Sequence, residues 1–248
     1  MTHREVEPRY VEPIMGLVFD LDGTLVLSRH DFPRMRREVI RAAERHGVTP
    51  GRLSVRDNIP RLMEEAAGEI QRANLPEGFL FKFQAEADQA LDAIEMEALP
   101  TTVARPGAKE LLAVLTEKGY RLAVLTRSSE RFARSALQQT GLAGFFPYLR
   151  ARGASGPVKP SPDSLLLLLK EMGVPKDRAL FVGDHLLDVE CGLRASVLMY
   201  GLLPQEATPD GMTAERFLAA GAAAVATDLP DLGRKLGLPK SPQPTPAR

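Results

Sequence analysis

The amino-acid sequence predicts an α/β fold, with a Rossmann-like, doubly wound parallel sheet and an inserted all-helical domain. From residue 106 onward, short apolar runs that are typical of buried strands alternate with segments of helical periodicity. One further apolar run, residues 14–19, precedes a long stretch with helical periodicity and no convincing strand. Right-handed crossovers bring the carboxyl ends of parallel strands to one edge of the sheet, so we expect the functional site at that edge.

Each predicted strand is a short apolar run that ends near a turn signal. Residues 14–19 (IMGLVF) are too few for a helix and are soon followed by Gly23, so a buried strand fits best. The same reasoning predicts four more strands, at residues 120–126, 178–184, 196–202 and 222–227.

The helices between these strands are delimited by residues that favour helix ends. Ser161 is a good N-cap with Pro162 at the next position, and the apolar helix that follows ends at Gly173. Similar signals predict the other helices, which are one from Pro106 to Gly119, one over 129–140, a short one after residue 184 and one near 213–220.

Residues 26–105 interrupt this alternation for 80 positions. Apolar residues recur there at helical spacing and predict three or four amphipathic helices with a shared core. The insert leaves after the first strand and returns before the second, so it can lie over the site edge. We therefore expect a core domain of residues 14–25 and 106–238, the helical insert at 26–105, and flexible tails at 1–13 and 239–248.

Composition excludes several function classes. Lys and Arg together number 32, as do Asp and Glu, so the chain lacks the net positive charge expected of a nucleic-acid-binding protein. The single cysteine, Cys191, excludes a disulfide framework and any CxxC site. No apolar run approaches the ~18–20 residues that span a bilayer, and the N-terminus lacks the apolar region of a signal peptide. We expect a cytoplasmic protein without a membrane or nucleic-acid partner.

Four polar clusters follow predicted strands or precede predicted helices, and the first is the strongest signal. Asp20 and Asp22 stand two residues apart, a spacing that points both carboxylates to one side of an extended strand. Two such charges need a cation or a shared proton to offset their repulsion. Gly23 permits a sharp turn and a close approach of a ligand to the backbone. The alternative is a solvated turn at the end of a strand.

The second and third clusters are weaker when each is taken alone. Thr126 ends a predicted strand and Arg127 follows it, so a hydroxyl and free backbone amides could hold a phosphoryl oxygen there. The alternative is a helix N-cap, a role that Ser128 or Ser129 could take. Lys159 precedes a capped helix and could reach an anion as a point charge, although an isolated lysine is usually a solvated surface residue.

The fourth cluster follows the apolar strand that ends at Gly183. Asp184 lies where that strand reaches the surface, and Asp188 lies one helical turn further on. Carboxylates so placed suit a hard divalent cation. The alternative is the ordinary preference for acidic residues at a helix N-terminus.

The order DxDGT, Thr at a strand end, Lys, then GDxxxD resembles the haloacid dehalogenase superfamily over roughly residues 14–228. The helical insert is similar to the cap domain of its phosphoglycolate-phosphatase-like branch. Dehalogenases and phosphonatases of this superfamily lack the second aspartate of the first motif, whereas Asp22 is present here. The resemblance therefore favours phosphoryl transfer from an ester over cleavage of a carbon–halogen or carbon–phosphorus bond.

The resemblance also implies a role for each matching residue. Asp20 is the expected nucleophile that forms an aspartyl-phosphate, and Asp22 is the expected general acid and base. Thr126 and Lys159 would hold the phosphoryl oxygens, with Gly23 and Arg127 as further phosphate-binding candidates. Mg²⁺ is the implied cofactor, and its expected ligands are Asp20, the backbone carbonyl of Asp22, Asp184 and Asp188, the last of which could instead support Lys159.

The activity expected from this resemblance is a Mg²⁺-dependent phosphatase of a small phosphomonoester, acting as a monomer or dimer. One alternative is a phosphomutase of the β-phosphoglucomutase type, and another is a non-catalytic binding protein with the same fold. The first part of the insert, Arg29–Arg61, holds nine arginines and four acidic residues, and could meet an anionic leaving group. Its candidate residues are Arg34, Arg36, Arg37 and Arg56, although a solvated helix face would have the same charge pattern.

Overall fold

A computed structural model describes residues 13–73, 75–76, 78–153, 156–205 and 211–238. The tails for which the sequence predicts flexibility, 1–13 and 239–248, lie outside these ranges except for Pro13. The strands are β1 (Gly16–Phe19), β2 (Val26–Leu27), β3 (Val103–Ala104), β4 (Arg121–Ser129), β5 (Tyr148–Arg152), β6 (Ala179–Gly183), β7 (Leu198–Leu202) and β8 (Ala224–Ala226). The helices are α1 (Phe32–Arg45), α2 (Ile59–Arg72), α3 (Phe79–Ala98), α4 (Ala108–Glu117), α5 (Glu130–Gln139), α6 (Pro162–Met172), α7 (Leu186–Ala195), α8 (Ala214–Ala219) and α9 (Leu229–Lys235).

Six strands form one parallel sheet in the order β5-β4-β1-β6-β7-β8, which confirms the predicted α/β fold. Strand β1 lies in the middle of the sheet, and Phe19 at its carboxyl end is opposite Val124 of β4 and Val182 of β6. The chain first builds the sheet outward on one side of β1 and then on the other. The order therefore reverses at β1, and a sheet of this class binds its ligands beside such a reversal.

Helices cover both faces of the sheet, which explains the continuous apolar sequence of β1. Leu17 and Phe19 pack into one core cluster, which contains residues of α4, α5 and α9. Val18 packs into a second cluster on the opposite face, with residues of α6, α7 and α8. A strand that is buried on both faces has no position for a polar side chain, so alternation is lost from its sequence.

Helices α1, α2 and α3 contain a third core cluster, and its buried residues include most of the apolar residues that recur at helical spacing there, whereas Phe32 is exposed. The absence of strands predicted for 26–105 was wrong, because β2 and β3 form an antiparallel pair with Val26 opposite Ala104. Two residues per strand are too few to show a period of two. Because the third cluster is separate from the two at the sheet, we propose the cap at residues 26–105 and the core domain at residues 14–25 and 106–238.

Two elements of the sheet layer escaped the sequence analysis. Strand β5 has the sequence YLRAR, and its two arginines conceal the strand pattern. Both arginines, Arg150 and Arg152, form ion pairs with acidic residues of helices, so tertiary contacts satisfy charges that local sequence would place in solvent. Helix α9 is only seven residues long and packs against the first core cluster through Leu229 and Leu232. Within the described ranges, no helix has the length and apolar character needed to cross a membrane.

Candidate active site

The polar clusters of the sequence meet at the carboxyl edge of three adjacent strands. Asp20 directly follows β1, Asp184 directly follows β6, and Thr126 lies near the carboxyl end of β4. Their neighbourhood results from the strand order, because β1 lies between β4 and β6. Thr126 and Asp184 are each more than one hundred residues from Asp20 in the sequence, yet they lie on the two strands next to it.

Lys159 is buried between two carboxylates. Its side chain is 3% exposed, and Nζ donates to Asp20 Oδ1 and, over 2.8 Å, to Asp188 Oδ1. Burial alone would lower the pKa of Lys159, but the charges of Asp188 and Asp20 outweigh it and raise the pKa above its usual value. The ammonium group therefore stays protonated and partly offsets the negative charge of this site.

The loop after β1 approaches Asp184 closely. Thr24 Oγ1 donates to Asp184 Oδ1 over 2.9 Å, and Gly23 has a positive φ of 81° that a glycine adopts without strain. Helix α7 then brings Asp188 back to the strand end, where its Oδ2 accepts a hydrogen bond of 3.1 Å from the backbone N–H of His185. Asp188 thus contacts Lys159 with one oxygen and caps its own helix with the other.

Asp20, Asp184 and Asp188 together have the chemistry of a divalent-cation site. One carboxylate oxygen from each lies within 4.8 Å of the others, and three carboxylates supply the hard oxygen ligands that Mg²⁺ prefers. Burial raises the pKa of Asp20 to about 6, and burial with the charges of Asp20 and Asp188 raises the pKa of Asp184 well above its usual value. Lys159 supplies one positive charge against these three carboxylates, so the residues fit a bound cation.

The side chain of Asp22 is directed to other partners than that of Asp20. Asp22 Oδ2 accepts from Ser128 Oγ over 2.5 Å, and Oδ1 accepts from Ser28 Oγ and lies 3.0 Å from His30 Nε2. Burial would raise the pKa of Asp22, but the hydrogen bonds and charge of His30 and the two hydroxyls lower it below its usual value. The sequence spacing predicts that Asp20 and Asp22 face the same side, but in the structure the two carboxylates bind different partners.

Thr126 and Arg127 lie near the carboxyl end of β4, the strand next to β1. The Thr126 hydroxyl accepts from the backbone N–H of Ser128 over 3.1 Å, and its side chain is buried. Burial lowers the pKa of Arg127, whereas the nearby charges of Asp188 and Asp20 raise it, and burial dominates. In the described part of the chain, Arg127 Nη1 is buried without a hydrogen-bond partner, so this guanidinium retains donor capacity for an anion.

Sequence reasoning missed the polar groups that surround Asp22 and the start of α5. Ser28 and His30 precede α1, and no local pattern distinguishes them from ordinary loop residues. Glu95 of α3 is 2% exposed and accepts a hydrogen bond of 2.9 Å from the backbone N–H of Ser129. It also accepts from Arg152 Nη1 and Nη2 over 2.7 and 3.0 Å, which connects α3 to the sheet. The one signal in the sequence was that Glu95 lies next to Ile94, on the apolar side of a predicted helix.

Of the four arginine candidates in the insert, one has a clear ion-pair partner. The Arg34 guanidinium donates to both carboxylate oxygens of Glu97, at 2.5 and 3.1 Å. Arg36 Nε is buried without a hydrogen-bond partner among the described residues. The structure places neither arginine in contact with the carboxylate cluster, so their part in substrate recognition stays a prediction.

Comparisons with known proteins identify the family and the relatives of this chain. Residues 14–196 match the haloacid dehalogenase-like hydrolase family. A phosphoglycolate phosphatase of Pseudomonas fluorescens (strain Pf0-1) is 31% identical over 193 residues, which cover 75% of this chain and 68% of the relative. A phosphoglycolate phosphatase of Rhodospirillum rubrum is 30% identical over 237 residues, which cover 91% of this chain and 92% of the relative.

The same fold occurs among solved structures. The crystal structure of a hydrolase from Pseudomonas syringae superimposes with a TM-score of 0.62 at 23% sequence identity. The match covers 90% of this chain and 98% of that one. At this level of identity the similarity supports the fold of the sheet and its helices, and the chemistry rests on the residues described above.

Proposed function

Because the chain belongs to the haloacid dehalogenase-like hydrolases and is a phosphatase, we propose that it hydrolyses a small phosphomonoester through an aspartyl-phosphate, with Mg²⁺ as cofactor. One observation carries this proposal. The buried Lys159 ammonium bridges Asp20 and Asp188, and Asp184 completes a carboxylate cluster at the strand edge. Phosphate-monoester hydrolysis is among the slowest uncatalysed reactions, with accelerations that reach ~10²¹, so a concentrated charged site of this kind suits it.

In the proposed mechanism Asp20 is the nucleophile. Its carboxylate oxygen attacks phosphorus, an aspartyl-phosphate forms, and the bond between phosphorus and the leaving oxygen breaks. Lys159, which contacts Asp20, orients this carboxylate and offsets charge as the anionic phosphate approaches. Thr126, Arg127, Lys159 and the backbone at Gly23 are the proposed donors to the phosphoryl oxygens, and Arg127 has buried donor capacity for that purpose.

Asp22 is the proposed general acid and base. When the anionic ester enters the site, its charge favours the protonated form of Asp22. Asp22 then gives this proton to the departing alkoxide, and it next takes a proton from the water that attacks the aspartyl-phosphate. The same carboxylate thus serves both half-reactions and returns to its starting state. Asp22 binds Ser128, whereas Lys159 binds Asp20 and Asp188. This difference supports the assignment, because a carboxylate that is ion-paired with Lys159 would not readily take up and release a proton.

Asp20, Asp184 and Asp188, with the backbone carbonyl of Asp22, are the proposed ligands of Mg²⁺. When bound, the cation would neutralise charge on the phosphoryl oxygens and so allow an anionic nucleophile to approach an anionic ester. The three clustered carboxylates face one Lys159 ammonium, and this excess of negative charge supports the role.

The proposed substrate class is phosphoglycolate-like or sugar-phosphate-like. The two relatives described above are phosphoglycolate phosphatases, and their similarity extends over most of this chain. The segment from Arg29 to Arg61 holds nine arginines, of which five form ion pairs with acidic residues. The other arginines of this segment would favour an ester whose leaving group is itself an anion. Aromatic residues make up only 6% of the chain, which disfavours a stacking pocket for a nucleobase.

The proposal is tested by measuring phosphate release from a panel of phosphomonoesters, with and without Mg²⁺. Asp20→Asn is the blank, since it keeps the shape of the side chain and removes the nucleophile, and Asp177→Asn, an exposed position, is the matched control. We expect metal-dependent release by the wild type and the control, and none by Asp20→Asn. Near-wild-type release by Asp20→Asn would refute the nucleophile assignment. Isomerised sugar phosphate in place of free phosphate would identify a phosphomutase.

A further inference from the structure

The carboxylate of Asp22 is held by three side chains from two parts of the protein. Ser128 comes from β4 of the sheet, whereas Ser28 and His30 come from the segment between β2 and α1. His30 Nε2 lies 3.0 Å from Asp22 Oδ1 and 3.1 Å from Ser28 Oγ. Both oxygens of the carboxylate are therefore engaged, and Oδ1 depends on the inserted segment for its contacts.

The imidazole of His30 is fixed by packing. Its ring meets Phe132 of α5 edge to face at 4.8 Å between ring centroids, and Phe32 of α1 at 5.8 Å. The His30 side chain is 3% exposed. A ring that is enclosed in this way has little freedom to turn, so Nε2 points at Asp22 because of the aromatic contacts rather than the hydrogen bond alone.

The polar contacts of His30 are committed to this one direction. Among the described residues, Nδ1 is buried and has no hydrogen-bond partner. With the proton on Nε2, the ring donates toward Asp22, and Nδ1 is a buried acceptor that receives no hydrogen bond from any described residue. A histidine retained only for packing would leave two ring nitrogens to be desolvated, and an apolar ring would fill the same space at lower cost.

We infer that His30 is a positioning residue for the general acid and base, and that it holds the Asp22 carboxylate in the orientation that the two serines complete. This inference rests on the proposed role of Asp22. Without His30, Oδ1 loses one of its two hydrogen-bonding partners, and the two serines alone hold the carboxylate less firmly. The inserted segment would in this way contribute to the chemistry of the core without touching the reacting atoms.

Two substitutions separate this role from packing. His30→Phe keeps the ring against Phe132 and removes the donor, whereas His30→Gln restores an amide donor at a similar reach. General acid catalysis contributes about 10²- to 10⁴-fold to a rate, so misplacement of the acid in His30→Phe should lower kcat on an alkyl phosphate by about 10- to 100-fold. KM should stay within about threefold, and His30→Gln should recover most of the lost rate.

A second test compares kcat/KM on esters with different leaving groups. If His30 only supported the fold, its substitution would lower kcat/KM equally on all of them. A p-nitrophenyl phosphate releases a stable phenolate that needs no proton, whereas an alkyl phosphate releases an alkoxide that does. The value of kcat/KM reports events up to the departure of the leaving group. His30→Phe should therefore lower kcat/KM strongly for the alkyl ester and little for the aryl ester. An equal loss on both esters, without rescue by His30→Gln, would overturn the inference.

The matched control is His46→Phe. His46 Nε2 also lies 2.8 Å from a carboxylate, that of Glu86, and its ring also meets a phenylalanine, Phe79, edge to face, but this pair is in the inserted helices away from the strand edge. Activity of His46→Phe should equal that of the wild type on both esters.

Crystal structures of the wild type and His30→Phe would show whether His30 positions the Asp22 carboxylate, independently of any activity measurement. We expect the Asp22 carboxylate to leave Ser28 and Ser128 or to occupy two conformations in the variant. An unchanged carboxylate in His30→Phe would overturn the positioning role even if the enzyme is active. Absence of turnover in the wild type with a displaced carboxylate in the variant would instead refute the proposed function and leave the structural coupling standing.

Discussion

A β-carbon at Gly23 would lie 2.1 Å from Asp184 Oδ2, so the backbone after β1 and the carboxylate after β6 are in contact only because residue 23 is glycine. The φ of Gly23, 81°, is also one that residues with side chains rarely adopt. This contact brings the first and fourth sequence motifs together. It makes Gly23 a sensitive probe of how closely the site is packed.

We predict that Gly23→Ala lowers the free energy of unfolding by roughly 1–2 kcal/mol from backbone strain, and by more if Asp184 cannot move. Displacement of Asp184 by about 1 Å should also reduce phosphatase activity by about 100-fold. Urea denaturation and steady-state kinetics measure the two effects. Gly51 has φ 82° with no atom within 4 Å of an added β-carbon, so Gly51→Ala should lose similar stability and keep its activity. Full activity in Gly23→Ala would contradict the prediction.

The carboxylate cluster should give the wild type a stability that depends on magnesium. A ligand that binds only the folded state at 100 times its Kd stabilises by about 2.7 kcal/mol, so saturating MgCl₂ should raise the Tm of the wild type. Asp184→Asn removes one of the three clustered carboxylates and should abolish most of this shift. Asp177→Asn, at an exposed position, serves as the control and should keep it. An undiminished shift in Asp184→Asn would exclude Asp184 from the metal site.

The contact between α3 and the sheet should depend on one buried charge. Glu95 is 2% exposed and accepts from both Nη atoms of Arg152, so Glu95→Gln leaves that guanidinium with the 43% exposed Asp88 as its remaining counter-charge. Breaking a buried ion pair on one side costs about 3–5 kcal/mol. Glu97, which also lies on α3, forms an exposed pair with Arg34 of α1, and Glu97→Gln should cost less than about 1 kcal/mol. If chemical denaturation gave equal losses of unfolding free energy for Glu95→Gln and Glu97→Gln, the buried ion pair of Glu95 would not stabilise the fold more than the exposed pair of Glu97.

Cys191 should be unreactive in the folded protein. Burial raises the pKa of its thiol from 9.0 to about 11, and the side chain has no exposed surface. Because the thiolate is the reactive form, iodoacetamide at mildly alkaline pH should label the protein only after unfolding in urea, as mass spectrometry would show. The stability from the protonated thiol is fully present below about pH 9 and is lost as the pH rises through about 11. Rapid labelling of the folded protein would contradict the burial.

Much of the fold could be predicted from local patterns. The apolar run at Gly16–Phe19 can be satisfied only by a strand that is buried on both faces, and the helix from Pro162 is delimited by Ser161 and Gly173 as the sequence indicates. Long-range pairing was harder to predict. Strand β5 contains charges that Glu95 and Asp88 of α3 satisfy, and β2 with β3 is too short to show any period.

The sequence by itself determined which residue types and motifs this protein carries and where strands and helices alternate, because helix caps, glycines and apolar periods act over a few residues. It also determined that Asp20, Asp184 and Lys159 would stand at the ends or beginnings of such elements. Only the tertiary structure decided what each carboxylate faces. Asp20 and Asp22 are two residues apart, yet one contacts Lys159 and the other contacts Ser28, Ser128 and His30. Lys159 and Ser128 come from distant parts of the chain, and only the packed strand order brings them within hydrogen-bond distance of Asp20 and Asp22. Ser28 and His30 are close to Asp22 in sequence, but only the fold of the inserted segment turns them back toward its carboxylate.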